Sequence, residues 1–213
     1  MAMLFLASRS PQRRRILEEL EISFETLDVE TEEVVLATPD ATVLENARRK
    51  ACAACERVQD GDVVIASDTV VENDGDVLGK PHTAALAREY LTRLSGRAVT
   101  AWSGVACLCK GTGDGVVVAA ERATATMRTF SPQEIEWYVG TGEPLTRAGA
   151  FGISRFGEIF VERLDGSYSC FAGLPKRALF FVLSKVAAAA PFLPVALPPD
   201  PAPPQGGRRQ VGV

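Results

Sequence analysis

Short apolar runs and longer segments of helical spacing alternate along the chain. Leu4 to Ala7 is the first run, short enough for a strand. Ser10 and Pro11 follow, a good N-cap and a natural first helical residue, and Ile16, Leu17 and Leu20 then share one face of a helix. Ile22 to Val29 reads as a second strand. Thr38-Pro39-Asp40 opens a long helix with Val43, Ala47, Ala51, Ala54 and Val58 as its apolar stripe. Lys50 falls on the edge of that stripe, where a lysine either snorkels to solvent or reaches into a cleft, while Arg48 and Arg49 face outward.

Val63 to Ala66 is an unbroken apolar run, as expected of a strand buried on both faces. It continues through Ser67-Asp68-Thr69-Val70-Val71 to Asp74-Gly75, a two-residue hairpin signal in which both positions need positive φ. That turn sets Asn73 against Asp76, and counting along the ladder brings Lys80 opposite Thr69, within one residue of Asp68. Gly79 and Pro81 end the pairing. Beyond it the pattern predicts a helix over Thr83 to Leu94, a long hairpin of Val99–Cys109 and Val116–Phe130, and a capping box at Ser131 to Glu134. A long loop from Gly140 to Gly152, a strand from Gly157 to Arg163 and a last helix from Leu174-Pro175 to about Ala190 follow. From Pro191 onward the chain carries 7 of its 13 prolines, a tail whose composition buries too little to order itself.

At 213 residues and 46% hydrophobic, the chain is ample for one core and could hold two small lobes, with residues 1–190 as the expected domain. A net charge of −4 offers no long-range attraction to nucleic acid or an anionic membrane. No apolar run approaches a membrane span, and the first residues are too short for a signal peptide, so a cytoplasmic protein is expected. The five cysteines and single histidine, His82, fit small buried residues better than a disulfide scaffold or a zinc site. Gln12-Arg13-Arg14-Arg15 puts positive charge where a helix dipole favours negative, the signature of an anion site or of a solvated basic face. Asp68, ending a buried strand, calls for a cation or an open cleft, because an isolated buried carboxylate is costly. Glu33 is a further carboxylate after a strand.

Leu6-Ala7-Ser8-Arg9-Ser10-Pro11-Gln12-Arg13-Arg14, Glu32-Glu33, Ala66-Ser67-Asp68-Thr69-Val70, Gly79-Lys80-Pro81, Gly142-Glu143-Pro144, Ala148 to Ile153 and Gly173-Leu174-Pro175 occur in this order. Together they resemble the Maf family of nucleotide pyrophosphatases. The resemblance implies an α/β fold like that of the house-cleaning nucleotide hydrolases, with a mixed, elongated twisted sheet, flanking helices and two lobes around a cleft. It further implies a homodimer and hydrolysis of a nucleoside triphosphate to monophosphate and pyrophosphate with a divalent metal, Mg²⁺ or Mn²⁺. By motif match Asp68 is the base or a metal ligand and Glu33 a metal ligand. Arg13, Lys50 and Lys80 contact phosphates, and Ser8 and Ser10 flank the triphosphate.

Positions matching Gln12, Thr69 and Ser154 separate the branches of the family. Thr69 matches the branch acting on UTP and dTTP. Gln12 and Ser154 match neither that branch nor the one acting on 7-methyl-GTP, which implies a broadened pyrimidine preference. Where many relatives read Asp-Lys-Ala-Gly-Ala-Tyr-Gly-Ile-Gln, this chain has Thr146-Arg147-Ala148-Gly149-Ala150-Phe151-Gly152-Ile153-Ser154. Rival readings are a 7-methyl-GTP or other modified-nucleotide pyrophosphatase, a nucleotide-binding regulator of septum formation, and an aspartyl-phosphate phosphatase. Val70 occupies the place of the second Asp that the phosphatase would carry. No GxGxxG or GxxxxGK[ST] follows a strand, so the dinucleotide and P-loop readings fail.

Overall fold

The computed structural model describes residues 2–113 and 115–193. It is a mixed α/β protein: strands β1 (Leu4–Leu6), β2 (Glu25–Thr26), β3 (Val63–Asn73), β4 (Asp76–Leu78), β5 (Ala98–Cys109), β6 (Val117–Met127) and β7 (Val161–Asp165) form a seven-stranded sheet. Its order is β2-β1-β3-β5-β6-β7, with β4 paired to β3. β1 pairs parallel with β2 and β3, whereas β4 and β7 run antiparallel to their partners. The helices are α1 (Pro11–Glu19), α2 (Pro39–Cys55), α3 (Ala84–Leu94), α4 (Pro132–Gly140), α5 (Tyr168–Phe171) and α6 (Lys176–Lys185). Among the described residues no helix is long and apolar enough to cross a membrane.

The chain divides into two compact units. The first comprises Met1–Asp68, Ser103–Glu121 and Gly173–Val213. Its core joins Leu4, Leu6, Val63, Val64 and Ile65 of the strands with Val43, Ala47, Ala51 and Ala54 of α2 and Leu179, Val182 and Leu183 of α6, all buried. The expected stripe of α2 is the face that is buried, and Thr38 caps the helix by accepting from Ala41 N–H. At Gly104 the backbone of β5 presses so close to α2 that a Cβ would lie 2.4 Å from the Val43 carbonyl oxygen. The second unit, Thr69–Trp102 and Arg122–Ala172, is built on Val71, Leu91, Leu94, Met127, Phe130, Tyr138 and Phe160.

Several local expectations hold to the residue. Asp74 and Gly75 have φ of 53° and 86°, and Asn73 faces Asp76 across the turn. Ser131 and Glu134 form the capping box of α4. Others are corrected. The strand expected over Ile22–Val29 shrinks to Glu25–Thr26, because β1, its partner, offers only a three-residue edge. The β3–β4 ladder stops at Val71↔Leu78 and never pairs Lys80 with Thr69. The Gly79 carbonyl instead accepts from Gly149 N–H at 3.0 Å.

The strand expected from Gly157 begins only at Val161, since Gly157–Phe160 form a 3₁₀ turn. Gly157 packs there so tightly that a Cβ would meet the Gly152 carbonyl oxygen at 2.0 Å. Phe160 packs at a tilt against Phe130 and Tyr138, with centroids 4.5 and 5.1 Å away. The last helix ends at Lys185, and a 3₁₀ turn over Ala187–Phe192 carries the chain past the expected boundary at residue 190. The rest of the expected tail, 194–213, lies outside the described residues. Cys107, Cys109 and Cys170 are buried as expected, while Cys52 and Cys55 are only half-buried.

Candidate active site

Asp68 closes the first unit's stretch of β3 and is 5% exposed. Two side chains from one face of α2 reach it, since residues four apart on a helix are neighbours. Lys50 Nζ donates to Asp68 Oδ1 at 2.6 Å, and Asn46 Nδ2 donates to Oδ2 at 3.1 Å. Lys50 also donates to Glu33 Oε1 at 2.7 Å, so one ammonium bridges two carboxylates. The lysine does not snorkel to solvent: its side chain is 14% exposed, against 64% for Glu33.

Arg13 approaches from α1. Its Nη1 donates to the Ser67 carbonyl at 2.7 Å and to Ser8 Oγ at 3.3 Å, and its Nε donates to the Gly173 carbonyl at 2.9 Å. Burial lowers the guanidinium pKa from the ordinary arginine value, and the Asp68 and Glu33 carboxylates oppose that shift. Arg13 stays cationic at neutral pH. Ser67 Oγ lies 2.7 Å from both the Gly104 and Gly173 carbonyl oxygens, locking the strand that ends in Asp68. Ser8 Oγ also accepts from Ser10 N–H at 3.2 Å. Ser10 stands at the N-cap of α1, but its hydroxyl makes no capping bond and donates to Gln12 Oε1 at 3.2 Å. The first unit thus brings together Ser8, Ser10, Gln12, Arg13, Glu33, Lys50 and Asp68.

Thr69, Lys80 and Ser154 belong to the second unit. Thr69 and Ser154 are half-buried, and Lys80 is exposed without an ion pair among the described residues. The loop between α4 and β7 holds a buried polar group there. Neither carboxylate oxygen of Glu143 has a hydrogen bond, nor has Arg147 Nε. Both face Gly152, where a Cβ would lie 2.9 Å from Glu143 Oε1 and 3.4 Å from Arg147 Nε. Gly152 N–H donates to Tyr138 Oη at 3.2 Å. Burial first, and then the Glu143 charge, push the Tyr138 phenol up.

Two carboxylates sharing one ammonium fit a Mg²⁺ or Mn²⁺ ion held by one or two protein oxygens plus substrate phosphates. A cage of protein ligands does not form: no group of three or more His, Cys, Asp or Glu gathers among the described residues.

Residues 3–186 match the model of the Maf-like protein family. The chain belongs to the Maf family. Among its relatives, the dTTP/UTP pyrophosphatase of Anaeromyxobacter sp. is 42% identical over 81% of this chain and 83% of that one. Those of Vibrio cholerae and Bacillus cytotoxicus are 40% and 38% identical, over 81% and 80% of this chain and 91% and 88% of theirs. Among solved structures, the Staphylococcus aureus Ham1 protein aligns with a TM-score of 0.45 at 14% identity, over 84% of this chain and 90% of that one. Within this Maf chain, Asn46 is the site residue that sequence reasoning passed over. The signal was present: Asn46 lies three residues after Val43 and four before Lys50, a polar side chain on the core-facing stripe.

Proposed function

We propose that the protein hydrolyses nucleoside triphosphates to the monophosphate and pyrophosphate, with a preference for UTP and dTTP. One observation carries the reading: Lys50 joins the Asp68 and Glu33 carboxylates, with Arg13 on the same unit. A pure binding protein has no need of a carboxylate that activates water. Relatives 38–42% identical bear the name dTTP/UTP pyrophosphatase.

In this reading Asp68 accepts the proton of the attacking water. Arg13, Lys50 and Lys80 hold the phosphates and neutralise charge that develops on the phosphoryl oxygens, with Ser8 and Ser10 beside them. Glu33 and Asp68 would hold the divalent ion. When bound, that ion supplies charge neutralisation and lowers the pKa of a bound water. Gln12 offers both a donor and an acceptor to a pyrimidine edge, and the small Ser154 leaves room near the base. Turnover of CTP or a modified base should therefore stay within about tenfold of UTP, a gap of ~1.4 kcal/mol. A homodimer completes the reading, to be checked by light scattering.

The test is a panel of canonical and modified triphosphates with Mg²⁺ or Mn²⁺, measuring orthophosphate and pyrophosphate separately. Pyrophosphate from UTP or dTTP is expected, and Asp68→Asn should lower kcat at least about 10²-fold. Orthophosphate as the product, wild-type turnover in Asp68→Asn, or a preference above about 10³ for 7-methyl-GTP over UTP would reject it.

A further inference from the structure

Asn46 is 3% exposed and makes three directional contacts. Its Oδ1 accepts from Val34 N–H at 2.9 Å, while its Nδ2 donates to the Val34 carbonyl at 3.1 Å and to Asp68 Oδ2 at 3.1 Å. One amide therefore fastens the segment that follows Glu33 and also grips the carboxylate at the end of β3. A side chain of this size must present an acceptor and two donors at once to do so, which Asp, Leu and Ser cannot.

We propose that Asn46 is a positioning residue that sets the plane of the Asp68 carboxylate and holds the Glu33 segment in register with it. Rotation of a carboxylate about χ2 is broad and roughly two-fold. Lys50, a point charge with rotatable donors, pulls on Oδ1 but does not define that plane. An amide N–H on the other oxygen does, and it leaves the two oxygens of Asp68 chemically distinct. The proposal rests on the reading of Asp68 as the proton acceptor.

Two substitutions separate positioning from a purely structural staple. Asn46→Asp keeps the size and the acceptor for Val34 N–H, but it loses both donations and sets a second carboxylate against Asp68. Asn46→Leu keeps the branched shape, at a larger volume, without any hydrogen bond. A staple alone predicts that Asp, which retains part of it, is the milder change. Positioning predicts the opposite for catalysis: Asn46→Asp should lower kcat for pyrophosphate release at least about tenfold, with KM within about threefold, and should lose more than Asn46→Leu. A kcat within about twofold of wild type, or a larger loss in Asn46→Leu, would overturn the proposal.

A second readout needs no turnover. Asn46→Asp should lower Tm by at least about 4 °C, and by less than half as much when Asp68→Asn is also present, because two carboxylates no longer face each other. Equal Tm losses in both backgrounds would reject the contact itself. If wild type releases no pyrophosphate from any triphosphate, the catalytic reading and the proposal that rests on it both fail, and the Tm cycle shows whether the contact was at fault.

Discussion

Asp68 has one oxygen on an ammonium and the other on an amide, and both donors come from α2. The two ion pairs of Lys50 are not equal. Glu33 is 64% exposed, and a pair so well solvated contributes little, whereas the Asp68 and Lys50 side chains are 7% and 14% exposed. Removing one partner of a buried pair leaves an uncompensated charge, a loss of several kcal/mol. Glu33→Gln should therefore cost less than about 1 kcal/mol of stability, and Lys50→Met about 3 kcal/mol, both measured by urea unfolding. Equal losses would show that exposure does not rank the two. Single-residue reasoning singled out Asp68, Arg13 and Lys50 as candidates because charge is unusual at the end of a buried strand, at a helix N-terminus or on the edge of a core-facing stripe, whereas Glu33 entered only through the motif match. Asn46 was passed over because an uncharged polar residue on such a stripe also reads as an ordinary helix position. Only burial at 3% exposure shows that it must have partners.

At the scale of elements, α2 is the part that brings the site together; one contact fixes its place and one surface cluster stabilises the helix itself. The first is its contact with β5 at Gly104, where backbone meets backbone. Gly104→Ala would drive a methyl to within 2.4 Å of the Val43 carbonyl, so helix and strand must separate. The expected cost is about 1–3 kcal/mol of stability, with a loss of turnover as Asn46 and Lys50 shift together; normal Tm and activity would place the slack elsewhere. The second is the surface cluster in which Arg48 and Arg49 both pair with Glu45 at 2.8 Å. The hydrogen bond from Arg48, foremost, holds the Glu45 carboxyl down to about 2.

A depressed folded-state value means this stability is present above the unfolded-state carboxyl range and is lost as pH falls from about 4.5 toward 2. With the side chains a quarter to nearly half exposed, solvent screening limits the effect to below about 1 kcal/mol, or roughly 1–3 °C. Thermal melts of Glu45→Gln should lie that far below wild type at pH 7 and converge with it near pH 2. A gap independent of pH would contradict this. Strand boundaries were the less legible elements: Gly157–Phe160 reads as a strand by composition and becomes a turn because Phe160 packs on Phe130 and Tyr138.

For the whole molecule, the composition of the tail leads to a direct test. With 7 of 13 prolines in 191–213, the segment has little to bury, while the last 3₁₀ turn reaches Phe192. Truncation after Leu193 should leave Tm within about 2 °C and turnover within about twofold, because terminal segments that bury little tolerate removal. A fall of many degrees would mean that residues beyond 193 dock on the body.

Local chemistry settled much of this protein in advance. The Asp74-Gly75 turn, the Ser131–Glu134 capping box and the start of α2 after Thr38 all depend on interactions within a few residues of each other. Sequence carries such terms directly. Its ordered motifs also pointed to the family that the match over residues 3–186 establishes. What only the tertiary structure decided are the contacts between positions far apart in the chain: Arg13 on the Ser67 and Gly173 carbonyls, Asn46 and Lys50 on Asp68, and Gly104 against Val43. The same reason accounts for the short β2 and for the ladder that stops before Lys80. A strand's extent and a side chain's partner depend on what the rest of the fold presents at that place, and neither propensity nor periodicity contains that information.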